Sequence, residues 1–257
     1  MLPAARRLPI IGSALLLAAA LGMAQAATAG PVTRVFVVEV PPAQDQAFNQ
    51  GMKSYERCLR QHGAKHATYA YDSETGDTDR YLFLLDFSGW GGMDTHDPAG
   101  KACHGLFTAS VLPHFSHSFS EVAELNAKDT YMPGGDPDPA PIMWINAYRI
   151  KPGQADNFRD ALGMLASAAA KAHWGGHFAG WDTDGAGQGG ENFVLTWRNG
   201  SWAEVGTEPS PSMKDLMIRA YGKAAADANH QKFVDAIAED WSDAWGYDKD
   251  LSYIPGK

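Results

Sequence analysis

Residues 36–48, FVVEVPPAQDQAF, recur in altered form at 146–158, NAYRIKPGQADNF, and this repeat decides the fold. The positions that stay identical, 110 residues apart, are Pro42 and Pro152, Gln44 and Gln154, and Phe48 and Phe158. At the same offset, YLFLLDF (81–87) aligns with ENFVLTW (191–197). Each half also ends in Tyr-x-Pro-Gly, at 131–134 and at 253–256. The period is too long for a solenoid repeat. The sequence therefore predicts one domain duplicated within a single chain.

Each copy shows the same order of predicted elements. In the first half, strands are predicted at 35–40, 66–71, 81–87 and 121–125 (or near Tyr131), with a helix at 46–60 and a second helix or pair of helices at 101–119. In the second half, strands are predicted at 143–150, 177–182 and 192–197, with helices at 155–172, 213–226 and 230–241. Gly63 lies where a glycine commonly ends a helix. The composition of 133–141, PGGDPDPAP, indicates a linker.

The order β-α-β-β-α-β predicts an α+β chain of two ferredoxin-like domains fused in tandem, covering 27–132 and 142–257. Helices cover one face of each antiparallel sheet, so the two sheets are expected to cover each other as an α/β barrel. In this arrangement the chain resembles the dimeric α/β-barrel superfamily in tandem form, which includes antibiotic-biosynthesis-monooxygenase-like, NIPSNAP-like and chlorite-dismutase-like proteins. The resemblance implies a mostly apolar ligand cavity, within the barrel or between sheet and helices.

Residues 1–26 have the pattern of a cleaved signal peptide. Arg6 and Arg7 precede an apolar run at 10–21, and Ala24-Gln25-Ala26 fits the cleavage rule. The sequence thus predicts a periplasmic or secreted protein without stable membrane insertion, and an uncleaved N-terminal anchor is the alternative. The formal net charge of −9 argues against nucleic acid as a partner. A fused pair is expected to be a monomer or a weak homo-oligomer.

The two cysteines, Cys58 and Cys103, both lie on predicted helices of the first half. An exported protein keeps disulfides, so a bridge between these helices is one interpretation. A reactive thiol is the other. The second half contains no cysteine, so a bridge would support the fold without being its framework.

A histidine pair occurs in both halves, His62-Gly-Ala-Lys-His66 and His173-Trp-Gly-Gly-His177. Neutral imidazole binds zinc, copper or iron, so these four residues are candidate metal ligands. His66 and His177 are also candidate catalytic acid–base groups. The intervening glycines favour a helix that ends between the two histidines. His62 and His173 would then be helix-terminal residues, stabilised by the helix dipole.

Charged and aromatic residues on the predicted strands are candidate ligand contacts. Glu39 and Arg149 occupy equivalent central strand positions, where a charge must be paired, hydrated or used for a ligand. Asp86, Trp144 and Tyr148 complete the predicted ligand-binding set. Most of the strand aromatics, however, are expected to form core. They are Phe36, Tyr81, Phe83, Phe87, Trp144, Tyr148, Phe193 and Trp197.

A further histidine cluster, His96, His104, His114 and His117, is confined to the first half. The resemblance to chlorite-dismutase-like proteins makes a haem ligand conceivable here, but surface positions are the simpler interpretation. No haem-attachment, phosphate-loop or nucleophile-elbow motif is present, so the cofactor is unknown.

Three functions follow from these features. The first is the binding of a small, largely apolar molecule in a pocket of the duplicated barrel. The second is a monooxygenase-like or isomerase-like enzyme that uses His66 or His177. The third is a non-catalytic scaffold. Histidines of both halves pointing into one cavity would favour an enzyme or a metal site.

Overall fold

A computed structural model describes residues 30–134, 139–187 and 190–256, and its centre is a closed barrel of antiparallel strands. The strands are β1 (Val32–Glu39), β2 (Thr68–Ser73), β3 (Arg80–Phe87), β4 (His117–Leu125), β5 (Ile142–Ile150), β6 (Ala179–Asp184), β7 (Phe193–Asn199) and β8 (Ile237–Tyr253). The helices are α1 (Asp45–Gln61), α2 (Pro98–Ser110), α3 (Ala155–Ala172), α4 (Trp202–Val205), α5 (Met213–Tyr221) and α6 (Lys223–Ala236). Around the barrel the strands run β1-β3-β2-β8-β5-β7-β6-β4. This confirms the α+β class and the barrel.

The strand order is the same in each half. β4-β1-β3-β2 of the first half corresponds position by position to β8-β5-β7-β6 of the second. The halves meet at two seams, where β2 pairs with β8 and β4 pairs with β6. Equivalent strands, such as β1 and β5, therefore lie on opposite sides of the barrel.

The helices cover the outside of the barrel because side chains alternate between its two faces. In β1, Val35 and Val37 face the interior, whereas Phe36 and Val38 pack in the cluster beneath α1. Phe48 of α1 and Phe158 of α3, which the repeat aligns, are both only 1% exposed. Each is the buried anchor of its helix on its own sheet.

The closing tyrosines tie each half to the other. Tyr253 pairs with Thr68 at the start of β2, and its hydroxyl donates to the Ala64 carbonyl over 2.8 Å. Tyr131 bridges to Phe178, and its hydroxyl donates to the Trp174 carbonyl over 3.0 Å. Thr68 and Phe178 are 110 residues apart, as are Ala64 and Trp174, so the two clasps are equivalent.

The ends of the first helices agree with the sequence pattern. The prediction of 155–172 for α3 is confirmed, and α1 ends before Gly63, whose φ is +64°. In the second half the left-handed position falls on His173, at φ +47°. A histidine there carries a steric cost that glycine avoids.

The helix predicted at 213–226 ends at Tyr221, and α6 begins at Lys223 instead of 230. Two further predicted helices run into strands. The helix predicted at 101–119 ends at Ser110, and His117 already begins β4. The helix predicted at 230–241 ends at Ala236, and the long strand β8 follows. Both errors fall on segments that pair along both edges, β8 with β5 and β2, and β4 with β1 and β6. Backbone pairing across the barrel overrides the local preference.

The described residues contain no helix long and apolar enough to span a membrane. The predicted signal peptide lies outside the described residues, as does 135–138 of the predicted linker.

The cysteines form the disulfide that was one of the two predictions. Cys58 of α1 bonds to Cys103 of α2, and the bond closes a loop of 45 residues. Cys103 is fully buried, in a cluster with Leu59 and Tyr253. The bridge fixes the two helices of the first half, and in the second half the contact of α3 with α5 and α6 has no such bond among the described residues.

Removing this bridge should lower stability. The double variant Cys58→Ala/Cys103→Ala should lose about 2–4 kcal/mol in free energy of unfolding, because the unfolded chain regains the entropy of the open loop. Urea denaturation followed by circular dichroism measures the loss. Wild-type protein treated with reductant should fall to the same midpoint, and an unchanged midpoint in both samples would contradict the expectation.

Candidate ligand sites

An outer cavity of about 550 Å³ lies on the second half, beyond the region that α3 covers. Its floor is the pair Trp144 and Trp197, directly opposite each other on β5 and β7. Trp174, which follows α3, forms another wall, and the stretch from Glu204 to Pro209 closes the remaining side. The pocket arises because α3 ends at Ala172 while the sheet continues. Trp144 and Trp197 are therefore left partly uncovered.

The indole wall is held in place by its neighbours. The Trp174 indole Nε1 donates to the Pro211 carbonyl over 2.7 Å. A Cβ at Gly176 would overlap the Trp174 ring, so the second glycine of the His-Trp-Gly-Gly-His motif makes room for the indole. Gly176 therefore shapes the pocket.

Polar groups line the same floor in a defined order. The Trp144 indole Nε1 donates to Asn146 Oδ1 over 2.8 Å, and Asn146 Nδ2 donates to the Tyr148 hydroxyl over 3.3 Å. Burial raises the pKa of Tyr148, so the phenol stays neutral. The half-buried His177 also lines the cavity, and its Nε2 lies 2.5 Å from the Arg198 carbonyl oxygen. Because a carbonyl only accepts, Nε2 carries the proton, and Nδ1 of the neutral ring is an acceptor.

The barrel interior forms a second cavity, of about 410 Å³. Most of its wall is aliphatic or aromatic, from side chains that include Val35, Val37, Leu82, Leu84, Phe119, Met143, Ile145, Val194, Trp181 and Trp245. These residues occupy the inward positions of the alternating strands. The interior thus combines an apolar wall with a limited number of polar side chains, as ligand cavities do.

Glu121 is the buried carboxyl of this barrel cavity. It lies on β4, opposite Val35, and is 5% exposed. Burial first, and then the charge of Glu191 and a hydrogen bond with it, raise the pKa of Glu121 to about 9. Its Oε2 has no hydrogen-bond partner among the described residues. Glu121 is therefore protonated at neutral pH, beside the charge of Glu191.

The four histidines of the repeated pairs do not come together. His66 packs against Phe87 of β3, with 5.0 Å between the ring centroids, whereas His177 bonds to Arg198 of β7. β3 and β7 lie on opposite sides of the barrel. His62 and His173 are exposed and cap α1 and α3. The geometry thus gives each histidine a separate environment instead of one shared metal site.

Metal ligation finds no support in the described chain. The one group of three candidate ligands among these residues is Cys58, His62 and Cys103, and its two sulfurs are already joined to each other. The condition that would have favoured a metal site, histidines of both halves in one cavity, is not met.

The remaining predicted residues divide between the two cavities. Trp144 lines the outer cavity, and Tyr148 lies on the same face of β5 but is packed against Phe158. Glu39 and Asp86 line opposite ends of the barrel cavity, and Asp86 accepts from the Thr33 hydroxyl over 2.6 Å. Arg149 forms an ion pair with Glu239.

The first-half histidine cluster is dispersed. His96 and His104 are exposed, and His114 Nδ1 lies 2.9 Å from Gln44 Oε1. His117 begins β4 at the mouth of the barrel. Haem requires an imidazole whose nitrogen is available to iron, yet His177, which lines the outer cavity, uses Nε2 for a backbone carbonyl. Nε2 of His177 is therefore not available as a haem ligand, and we derive no step through a haem.

The sequence did not indicate several residues that build these cavities. Trp174, Asn146 and Trp181 were not identified, nor were Glu121 and Glu191. A signal for Glu121 was present: Phe119, Glu121 and Ala123 alternate as inward residues of β4. The predicted strand at 121–125 contained Glu121 and Ala123, but the predicted helical segment over 101–119 separated Phe119 from them.

The fold is shared with known proteins, although no protein-family model and no curated protein sequence matches the chain. A proposed monooxygenase from Lactobacillus acidophilus NCFM matches with a TM-score of 0.52 and 8% identity, over 88% of this chain and 97% of that one. An anthrone oxidase-like protein gives 0.53 and 12%, over 88% and 94%. A mutant chlorite dismutase from Candidatus Nitrospira defluvii gives 0.53 and 8%, over 86% and 92%. The chain thus has the dimeric α/β-barrel fold of monooxygenase-like and chlorite-dismutase-like proteins.

Ionisation of Glu121 should weaken the fold at alkaline pH. Because the native pKa is about 9, above the ordinary 4.5, protonated Glu121 is favoured by folding. Its contribution is complete below about pH 4.5 and is lost as the pH rises towards about 9. Glu121→Gln, neutral throughout, should be more stable than wild type by about 1 kcal/mol or more at high pH.

Urea unfolding at about pH 5 and pH 9 measures this difference. Glu56 and Asp129, whose pKa values burial raises to about 7, titrate in wild type and variant alike. The comparison between the two proteins therefore isolates Glu121. A constant difference across the pH range would contradict the assignment.

Proposed function

We propose that the protein binds a small, largely apolar molecule in the outer cavity. The observation that carries this proposal is the set of three indoles, Trp144, Trp174 and Trp197, around one pocket. Trp144 and Trp197 are partly uncovered, and such tryptophans offer a large apolar contact area at low entropic cost. The Asn146 amide and His177 supply polar groups to orient a ligand.

An oxidase or monooxygenase-like reaction is the second candidate. It is favoured by His177, whose Nδ1 is an acceptor in the wall of the same pocket. Structures of the same fold include a proposed monooxygenase and an anthrone oxidase-like protein. We infer that the histidine would remove the acidic C–H proton of an anthrone-type substrate. Fold likeness alone does not establish such chemistry.

His66 has a weaker place in this second candidate than His177. It packs on Phe87 and lines neither of the two described cavities. A role as scaffold, the third function that the sequence allowed, would leave both cavities without ligand.

We further propose that the chain is a tandem duplication of a ferredoxin-like domain, with NIPSNAP-like proteins among its relatives. The support is the repeat at 36–48 and 146–158, the matching strand orders and the equivalent tyrosine clasps. The signal-like segment 1–26 supports export to the periplasm or beyond, and a monomer or weak homo-oligomer is proposed because the fused halves already pair.

Loss of one indole should weaken binding of an apolar probe. Trp144→Ala or Trp197→Ala should reduce the affinity for N-phenyl-1-naphthylamine at least tenfold, which corresponds to about 1.4 kcal/mol of lost contact. Probe fluorescence during titration measures the affinity. Trp202→Ala is the matched control, because Trp202 is 48% exposed and does not line the cavity. Equal affinity in all three variants would refute the proposed site.

Oxidation of anthrone tests the second candidate. The reaction consumes one O₂ and gives anthraquinone and water, and it begins with removal of the C10 proton. His177→Gln should slow anthraquinone formation by about 10²-fold, while His66→Gln should leave the rate unchanged. Absorbance and oxygen uptake measure the rate. The same rate in wild type and His177→Gln would exclude His177 as the base without touching the binding proposal.

A further inference from the structure

We propose that the barrel interior is a second binding site, separate from the outer cavity, and that it takes an organic monocation: an amine with an apolar body. The juxtaposition that carries the proposal is Glu121, buried and beside Glu191, in the wall of a cavity that is otherwise largely aliphatic and indole.

The shape of the cavity supports a ligand with an apolar body. About 410 Å³ lies within the size range of small-molecule sites. Val35, Val37, Leu84 and Ile145 face this space and are only partly shielded from solvent, although they occupy central strand positions. The side chains thus leave the interior open, and an apolar molecule that entered would cover them.

The charge of the cavity favours a cation. Acidic side chains outnumber basic ones in its lining: the acids are Glu39, Asp86, Glu121, Glu191 and Asp243, and the bases are Arg80, Arg198 and the imidazole of His117. Arg80 is already paired with Asp243 over 3.3 Å. An anionic ligand would meet this excess of like charge and be repelled.

The Glu121–Glu191 pair supplies the specific contact. The charge of Glu191 lies beside Glu121 and is one of the causes that raise the pKa of Glu121, so the pair carries a negative charge. Glu121 Oε2 is buried and has no hydrogen-bond partner among the described residues, so an acceptor is in place for a donor. An ammonium group donates three hydrogen bonds and carries the compensating charge.

Indoles in the same wall suit such a ligand. Trp181, Trp241 and Trp245 all line the cavity. Two of them already attract cations: the Arg149 guanidinium lies 5.8 Å from the Trp241 ring centroid, and that of Arg80 lies 5.4 Å from Trp245. Attraction between a cation and an indole face is therefore a feature of this barrel.

The test compares one aromatic body with three head groups: 2-phenylethylammonium, 2-phenylethanol and phenylacetate. Isothermal calorimetry on the full exported chain at neutral pH should show the ammonium ion binding at least tenfold more tightly than the alcohol, and the carboxylate most weakly. Glu191→Gln, which removes the charge beside Glu121, and Glu121→Leu, which removes the buried acceptor, should each lower the affinity for the ammonium ion at least tenfold and leave the affinity for the alcohol unchanged.

Glu74→Gln is the matched control, since Glu74 is an exposed carboxyl that lines neither of the two described cavities. It should bind the ammonium ion as wild type does, and circular dichroism should show all three variants folded. The proposal is overturned if the alcohol binds as tightly as the ammonium ion, if neither Glu121→Leu nor Glu191→Gln alters binding, if Glu74→Gln alone does, or if no probe binds. Loss of indoles from the outer cavity should not affect binding of the ammonium ion in the barrel. The test of the barrel site is therefore independent of the proposed function.

Discussion

Closure of the barrel by exchange between its halves is the constraint on which the rest of the structure depends. The last strand of each half pairs with the other half, β4 with β6 and β8 with β2. Tyr131 and Tyr253 then fasten equivalent carbonyls across the two seams. The edge strands of each half are thereby paired, and their backbone N–H and C=O groups form hydrogen bonds instead of being exposed. Neither half can close its own sheet, so the barrel forms only when both are folded.

Closure also creates two kinds of space. Outside, the sheet extends beyond α3, and the uncovered tryptophans of β5 and β7 form a pocket between sheet and loops. Inside, the inward-facing side chains of the strands do not fill the barrel, and some of them are polar. Alternation of side chains on each strand keeps these spaces apart, because one face serves the helices and the other the interior. Because the outer face and the inner face of the sheet carry different side chains, each face can form a site of different chemistry.

The halves are alike in fold and unlike in content. Phe48 and Phe158 anchor equivalent helices, but the disulfide secures only the first half, and the indole pocket lies only on the second. Glu39 and Arg149, equivalent and opposite in charge, lie at the same end of the barrel on opposite sides of it. The outer cavity is lined by the second half, whereas the barrel cavity is lined by strands of both halves. The two halves therefore share a strand order but differ in the side chains that line the candidate sites.

The sequence alone determined the class of fold, the position of α1 and α3, and most strands, because the repeat and the helical spacing are local signals. It also indicated a disulfide between Cys58 and Cys103 as one of two interpretations, and the structure contains this bond. It could not determine β8, because that strand exists through pairing with β5 and β2 rather than through its own pattern. Nor could it show that His66 and His177 face different surroundings, or that Glu121 meets Glu191. Those relations arise from strand order and from which face each residue occupies, and only the closed barrel fixes both.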